Sequence, residues 1–461
     1  MGRGDRGGAL MPAPIILNYI LGTQGYPWEA WRHPDSRIDR VTDLDFYLEQ
    51  ARIAERGRFD TLFLVDHLSL FPTPDAPLFW TLDPMQLMTA LATHTEYIGF
   101  IATVGTSFAS PYQTARRLAT LDHLSRGRAG WNIVTSGSET EGLNHGLTSA
   151  VDREARYRRA CEFLDACLQL WHAWEVDALP ADRAQETPVD VTKISAINYQ
   201  GQEVSVKGPL GTPRSPQTVP ILCQAGPSPS AREIAGAYAD LVYARHEGIA
   251  ESREYRDNLR ECAHAAGRGR DAIRLIPNVV PFIGSTEAEA RRFHDELMDL
   301  ATPAARLADI AGTLGISLDP ADLRQTVPPE YVAQAERHWP WVTTTEAARW
   351  PPADETITWA QLVRAVDSAH QHTVLVGTPE HIADRLATGW EQGAYDGLSI
   401  AAPLIPAGLA DFVDTVVPIL QDRGAHKRDY PPGTLRERLR LPISQHVDRS
   451  RWTPHYPTPT D

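Results

Sequence analysis

The chain has 461 residues, 42% hydrophobic and 22% charged, the ordinary balance of a globular protein with a large core. Its 44 basic and 59 acidic residues leave a formal charge of −15, which argues against a general nucleic-acid or anionic-membrane binder but leaves room for one local cationic pocket. No run approaches the roughly 18 apolar residues of a membrane span, and Cys161, Cys167, Cys223 and Cys262, with no Cys-x-x-Cys spacing, read as buried free thiols in a reducing cytoplasm.

Residues 1–13 are Gly- and Arg-rich, lack the apolar stretch of a secretion signal, and read as a disordered leader. Ile15–Ile20 is a first strand, followed by a loop containing Trp28 and Trp31. Leu44, Leu48, Ala51 and Ala54 recur at helical spacing, which predicts a helix to Arg56. Thr61–Val65 is a buried strand with Asp66-His67 just past its end. Helix 85–93, strand Ile98–Thr103, helix 112–124, strand Ala129–Val134 and the long helix 157–174 follow. The beat then breaks at 176–211, a polar insertion with a hairpin expected around Asn198–Val206. It resumes with strand Val219–Cys223, helix 230–238, strand Leu241–Ala244, helix 253–266, strand Leu275–Val280 and helix 287–300. A second insertion, 303–372, is Trp-containing and charged. Helix 379–392, strand Gly397–Ala401 and helix 410–421 complete the body, so 14–424 forms one unit. The basic, Pro-rich extension 425–461 is expected to lie across the surface or a neighbouring protomer.

Eight strands, each followed by a helix, predict an α/β fold in which eight parallel βα units close into a (β/α)8 TIM barrel with large insertions. An open doubly wound sheet is the alternative, but no Gly-x-Gly-x-x-Gly follows the first strand. A barrel carries its chemistry at the carboxyl ends of its strands. Those ends are polar here: Asp66-His67, Thr103, Asn132 with Thr135 and Ser136, Gln224-Ala225-Gly226, and Arg245-His246. Singly, each could cap the next helix; jointly they outline a site. Gly226-Pro227-Ser228 precedes a helix and suits either an anion pocket or a plain serine cap with proline behind it. Arg153 and Tyr157 are four apart and share a helix face, although Arg153 could simply pair with Asp152 or Glu154. No His-Glu-x-x-His, Gly-x-Ser-x-Gly or Walker motif occurs, so no metal site, serine nucleophile or nucleotide loop is expected.

The run Leu121-Asp-His-Leu-Ser-Arg-Gly-Arg-Ala-Gly-Trp-Asn-Ile-Val-Thr-Ser136 resembles the signature of the bacterial-luciferase-like flavin monooxygenases. Trp31-Arg-His-Pro34 and Gln224-Ala-Gly226 are also similar to motifs of that family, in the branch that includes the nitrilotriacetate and dibenzothiophene sulfone monooxygenases and the pristinamycin synthases. The resemblance implies a luciferase-like barrel and a two-component monooxygenase. Reduced FMN would come from a separate NAD(P)H-dependent flavin reductase, and O2 would oxygenate a small organic substrate. It implies Asp66 beside the flavin ring, and the phosphate near Arg153, Tyr157, Gly226 and Ser228. Hydrogen bonds to the flavin edge would come from Thr103, Asn132, Thr135 and Ala225, with Trp28, Phe71 and Phe79 as an apolar shield. His145 and His67 are the candidate catalytic groups, and His123 reads as structural. A homo-oligomer is implied as well. The chain departs from the family pattern at Pro27 and Arg153, where relatives carry histidine, and at Pro227, where serine is usual. Two other readings share this barrel: a deazaflavin-dependent hydride-transfer enzyme, and a flavin-binding subunit without catalytic activity.

Overall fold

A computed structural model describes residues 13–70, 82–149, 152–181, 183, 187–226, 228–245, 248–300, 303–339, 341–344, 348, 350, 352, 355–367 and 372–443. Its main strands are β1 (Ile16–Ile20), β2 (Thr61–Leu64), β3 (Gly99–Gly105), β4 (Ala129–Val134), β5 (Ile221–Ala225), β6 (Leu241–Arg245), β7 (Arg274–Ile283), β8 (Thr373–Gly377) and β9 (Gly397–Ile400). Eight of them close a parallel ring in the order β7-β9-β1-β2-β3-β4-β5-β6, with β6 returning to β7. This is the expected barrel. β8 lies outside it: it pairs with Val279–Ile283 of β7, beyond Asn278, where the pairing with β6 stops. Sequence reading placed that stretch at the border of an insertion. The signal was there, in Thr-Val-Leu-Val followed by a Thr378-Pro379 helix start, whose threonine caps the next helix.

Strand alternation sorts the side chains into two cores. Ile16, Phe63, Ile101, Ile221, Cys223, Leu241, Tyr243 and Ile276 form one cluster inside the barrel. Their neighbours Leu17, Tyr19, Leu62, Leu64, Phe100, Trp131, Leu222 and Leu398 belong to the outer cluster, shared with the helices. The register lines up the inward set: Ile101 opposite Gly130, Thr103 opposite Asn132, Tyr243 opposite Ile276, Arg245 opposite Asn278. One polar layer crosses the interior. There Asn18 donates to Ser399 at 2.7 Å and accepts from Thr61 at 2.7 Å.

The surrounding helices are α1 (Leu44–Arg56), α2 (Pro84–Ala92), α3 (Pro111–Leu124), α4 (Glu139–Asn144), α5 (Arg153–His172), α6 (Pro229–Tyr238), α7 (Ile249–Ala265) and α8 (Glu287–Met298). α4 was not anticipated, although Ser138 and Glu141 form a capping box at its start. Cys161, Cys167 and Cys223 are buried free thiols and Cys262 is half-buried. The hairpin near 198–206 is present as Tyr199–Gln200 paired with Ser205–Val206. Residues 303–367 fold around a core of their own, with Leu307, Ile310, Trp339, Trp359 and Leu362 at its centre.

The described part of the extension, 425–443, differs from expectation. Instead of crossing the surface, its Leu435, Leu439 and Leu441 join the inner cluster and close the end of the barrel at which its strands begin. The fit is tight at Gly99, where a Cβ would stand 2.5 Å from Leu435. Arg436 is buried beside them, and its guanidinium donates to Asp240 at 2.7 Å and to the Pro220 carbonyl at 3.0 Å.

Candidate active site

At the opposite end, the strand tips carry buried amides. Thr103 donates its hydroxyl to the Leu64 carbonyl at 2.6 Å and accepts from Asn132 Nδ2 at 3.1 Å. The Asn132 side-chain oxygen is then buried with no donor, as are those of Gln224 and Asn278. A buried acceptor without a partner costs about 1–3 kcal/mol, so those of Asn132 and Gln224, near the ends of the neighbouring strands β4 and β5, suit a ligand that brings N–H and O–H groups. A flavin has a ring N–H and a hydroxylated chain, and on this observation the residues present fit it. Tyr243 and Cys223 lie just below. Burial pushes both well above their ordinary pKa, and it pushes the nearby Tyr255 up to about 12, so all three remain protonated at neutral pH.

The loops above the strand ends are cross-tied. Glu141 is buried; besides capping α4 it accepts from the Leu68 amide at 3.1 Å, and Asn144 donates to the Leu68 carbonyl at 2.9 Å. Together they tie the loop bearing Asp66 and His67 to the loop that follows β4. Ser107 donates to the Ser136 carbonyl at 2.8 Å, and Arg159 donates to the Thr106 and Ala109 carbonyls at 3.0 Å each. Arg156 donates to the Thr135 carbonyl at 2.6 Å and packs its guanidinium against Gly137.

Asp66, Thr135 and Tyr157 are half-buried on this rim, and Thr103 and Asn132 are buried. Arg153 is exposed at the start of α5, its guanidinium 5.8 Å from the Tyr157 ring centre. The neighbouring acids are occupied elsewhere: Asp152 caps the Ala155 amide at 2.9 Å, and Glu154 pairs with Arg158 at 3.6 Å. Ser228 takes the cap position of α6, accepting from the Ala231 amide at 3.3 Å, with Pro229 behind it. That is the plain serine cap, yet its hydroxyl proton stays available to a ligand. Gly226 has φ +144°, and Tyr255 donates to its carbonyl at 3.1 Å.

Two cavities flank Asn278. One, of about 760 Å³, includes Ala225, Gly226, Tyr243, Arg245 and Tyr255. The other, of about 250 Å³, includes Ile20, Trp28, Phe63, Val65 and His67. Phe63 and Tyr243 stack at 4.5 Å between centroids, so the two floors share one aromatic pair. His145 lines neither cavity. Exposed at the end of α4, it stacks on Phe108 at 4.6 Å and lies 2.8 Å from the Glu141 carbonyl. His123 contacts the Pro213 carbonyl at 3.1 Å, away from the strand tips.

Sequence reading missed Asn278 and the clamps Glu141, Arg156 and Arg159. Asn278 could have been found as a lone amide at an inward position of an apolar strand; the clamps carry no local signal. Phe71, Phe79, Trp80, Pro227 and His246 lie outside the described residues. Among the described residues no group of three or more His, Cys, Asp or Glu could hold a metal ion, and no helix is long and apolar enough to cross a membrane.

The model of the luciferase-like monooxygenase family matches residues 27–397. The chain is 35% identical to N-acetyl-S-(2-succino)cysteine monooxygenase of Bacillus subtilis (strain 168), covering 94% of this chain and 98% of that protein. It is 33% identical to nitrilotriacetate monooxygenase component A of Aminobacter aminovorans, covering 92% and 96%. The solved EDTA monooxygenase of Chelativorans sp. BNC1 superposes with a TM-score of 0.77 at 33% identity, covering 94% of this chain and 99% of that one. With its closed parallel barrel and its signature motifs on the rim, the chain belongs to the luciferase-like monooxygenase family and is a flavin-dependent monooxygenase.

Proposed function

We propose that the chain is the oxygenase of a two-component system that takes reduced FMN from a separate NAD(P)H-dependent reductase and uses O2 to oxygenate a small organic molecule. The family match stands behind the chemistry, and the name of the relative designated component A supports a separate partner. The observation that carries the site assignment is the buried, donor-less oxygen of Asn132, held in place by Thr103. When bound, reduced flavin supplies the electrons that activate oxygen for transfer of one atom to the substrate.

The chain's own residues hold and shield. Asn132, Thr103, Thr135 and Asp66 would hold the ring edge from strand ends whose positions the barrel fixes. Arg153, Tyr157 and Ser228 would hold the phosphate: an arginine can grip it through two hydrogen bonds, where the histidine of relatives offers one. Ala225 and Gly226 let the backbone approach closely. Trp28, Phe63 and Val65 keep water from the mouth. His67 lines the smaller cavity and is the better placed of the two candidate histidines to exchange a proton with substrate; His145 would first have to leave Phe108. The site would work in a homo-oligomer as in one chain, since all these groups come from a single barrel.

The test is oxygen consumption with chemically reduced FMN, with and without a reductase. The expected outcome is flavin-dependent oxygen uptake by the chain once reduced FMN is supplied, and no NADH oxidation by the chain alone. Hydride transfer to a deazaflavin without oxygen uptake would replace this reading with the dehydrogenase one.

A further inference from the structure

The cofactor groups named above occupy the tips of β2 to β5. The other half of the mouth, formed by β6, β7, β9 and β1, has its own polar pair. Arg245 ends β6 at an inward position, in step with Leu241 and Tyr243, whose side chains lie in the inner cluster. The register sets it opposite Asn278 on β7. Both residues line the larger cavity, which also touches Ala225 and Gly226, so a ligand there would border the flavin position. The cavity also touches Arg232 and the exposed Glu251 and Glu254 of α7, and Arg245 is half-buried in it. In a chain of net charge −15 the general field repels anions, and a small organic anion would need a local cation to be retained. Asn278 adds a buried acceptor oxygen with no donor among the described residues, and it borders the smaller cavity as well.

From this arrangement we propose that Arg245 and Asn278 select the substrate: an organic acid whose carboxylate or sulfonate pairs with Arg245, whose neighbouring N–H or O–H donates to Asn278, and whose apolar body lies along Ile20, Phe63 and Val65. The assignment of this compound as the molecule oxygenated rests on the monooxygenase reading; its binding does not. Arg245 acts here as a specificity residue, gripping an anion through charge-assisted hydrogen bonds.

The test uses the full chain without flavin and calorimetric binding of two matched pairs: N-acetylmethionine against its methyl ester, and hexanoate against methyl hexanoate. The wild type should bind each acid more tightly than its ester. Arg245→Gln should weaken the acids on the order of 10–100-fold, the loss of one charge-assisted contact, and leave the esters unchanged. Arg245→Lys should restore part of the preference, and Asn278→Asp should weaken the acids by placing a like charge in the same cavity. FMN affinity, followed by flavin fluorescence, should be the same in the wild type and both Arg245 variants. Equal binding of acid and ester by the wild type, or no binding of either, overturns the proposal. So does an Arg245→Gln protein that loses FMN affinity and keeps its acid preference, since Arg245 would then belong to the cofactor. Failure of the wild type to bind FMN would count against the flavin reading alone, because the acid and ester comparison is made without it.

Discussion

In the proposed site Arg153 would set the chemistry of the phosphate pocket. It stands one turn from Tyr157, with the nearby acids already engaged. A guanidinium is charged at every working pH, whereas an imidazole is not. Phosphate binding through Arg153 would therefore persist at alkaline pH. Arg153→Ala should weaken FMN binding by about 1.5–3 kcal/mol, the range for a charge-assisted contact, as measured by fluorescence titration. Unchanged affinity would make Arg153 a solvent-facing residue. Asn132 carries the complementary lesson: its burial makes it costly unless something donates to its oxygen, and that cost marks a binding group more sharply than residue type does.

Among the elements, the tail is the one whose role reverses expectation. Its leucines finish the inner core, and Arg436 neutralises Asp240 while donating to carbonyls at the start of β5. Removing one partner of a buried ion pair costs about 3–5 kcal/mol where the other charge is left unpaired, but Asp240 keeps a second, longer contact to Arg268 at 3.4 Å. Arg436→Ala should therefore lower stability by about 3 kcal/mol, the lower end of that range, in equilibrium urea unfolding. A loss under about 1 kcal/mol, the level of a solvent-exposed pair, would mean that water reaches Asp240 and that the plug is loosely seated. Position within the barrel matters too. A plug at the end opposite the strand tips can stabilise the fold without crowding the ligand, in keeping with the division between stability and chemistry at the two ends of such barrels.

For the whole molecule, acid sensitivity follows from one buried histidine that joins three segments. His426 lies 3.3 Å from the Ile15 carbonyl and 3.2 Å from the Gly57 carbonyl. Burial first, and the adjacent Lys427 second, lower its pKa from 6.5 to about 4. The unfolded chain then binds more protons than the folded one between those values. Stability should be level above pH 6.5 and fall as the pH drops toward about 4, by about 3 kcal/mol in all for a shift of this size. Thermal melts of wild type and His426→Gln across pH 4–7 check this: the substituted protein should lose that part of the slope. Equal slopes would assign acid sensitivity to the carboxylates instead.

Local pattern carries a great deal here. Apolar runs of strand length and amphipathic helices between them were enough for the barrel. Thr103, Asn132 and Gln224-Ala225-Gly226 were visible because turn and strand signals are short-range. Which side chains meet across the closed ring was not visible. Closure alone sets Arg245 beside Asn278, lets β8 extend the edge that β6 leaves, and brings Arg436 to Asp240, 196 residues away in sequence. Such contacts depend on register and on which face of a strand turns inward, and no stretch of neighbouring residues encodes them. The chain's periodicity determined that there would be a rim; the folded ring decided which side chains meet across it.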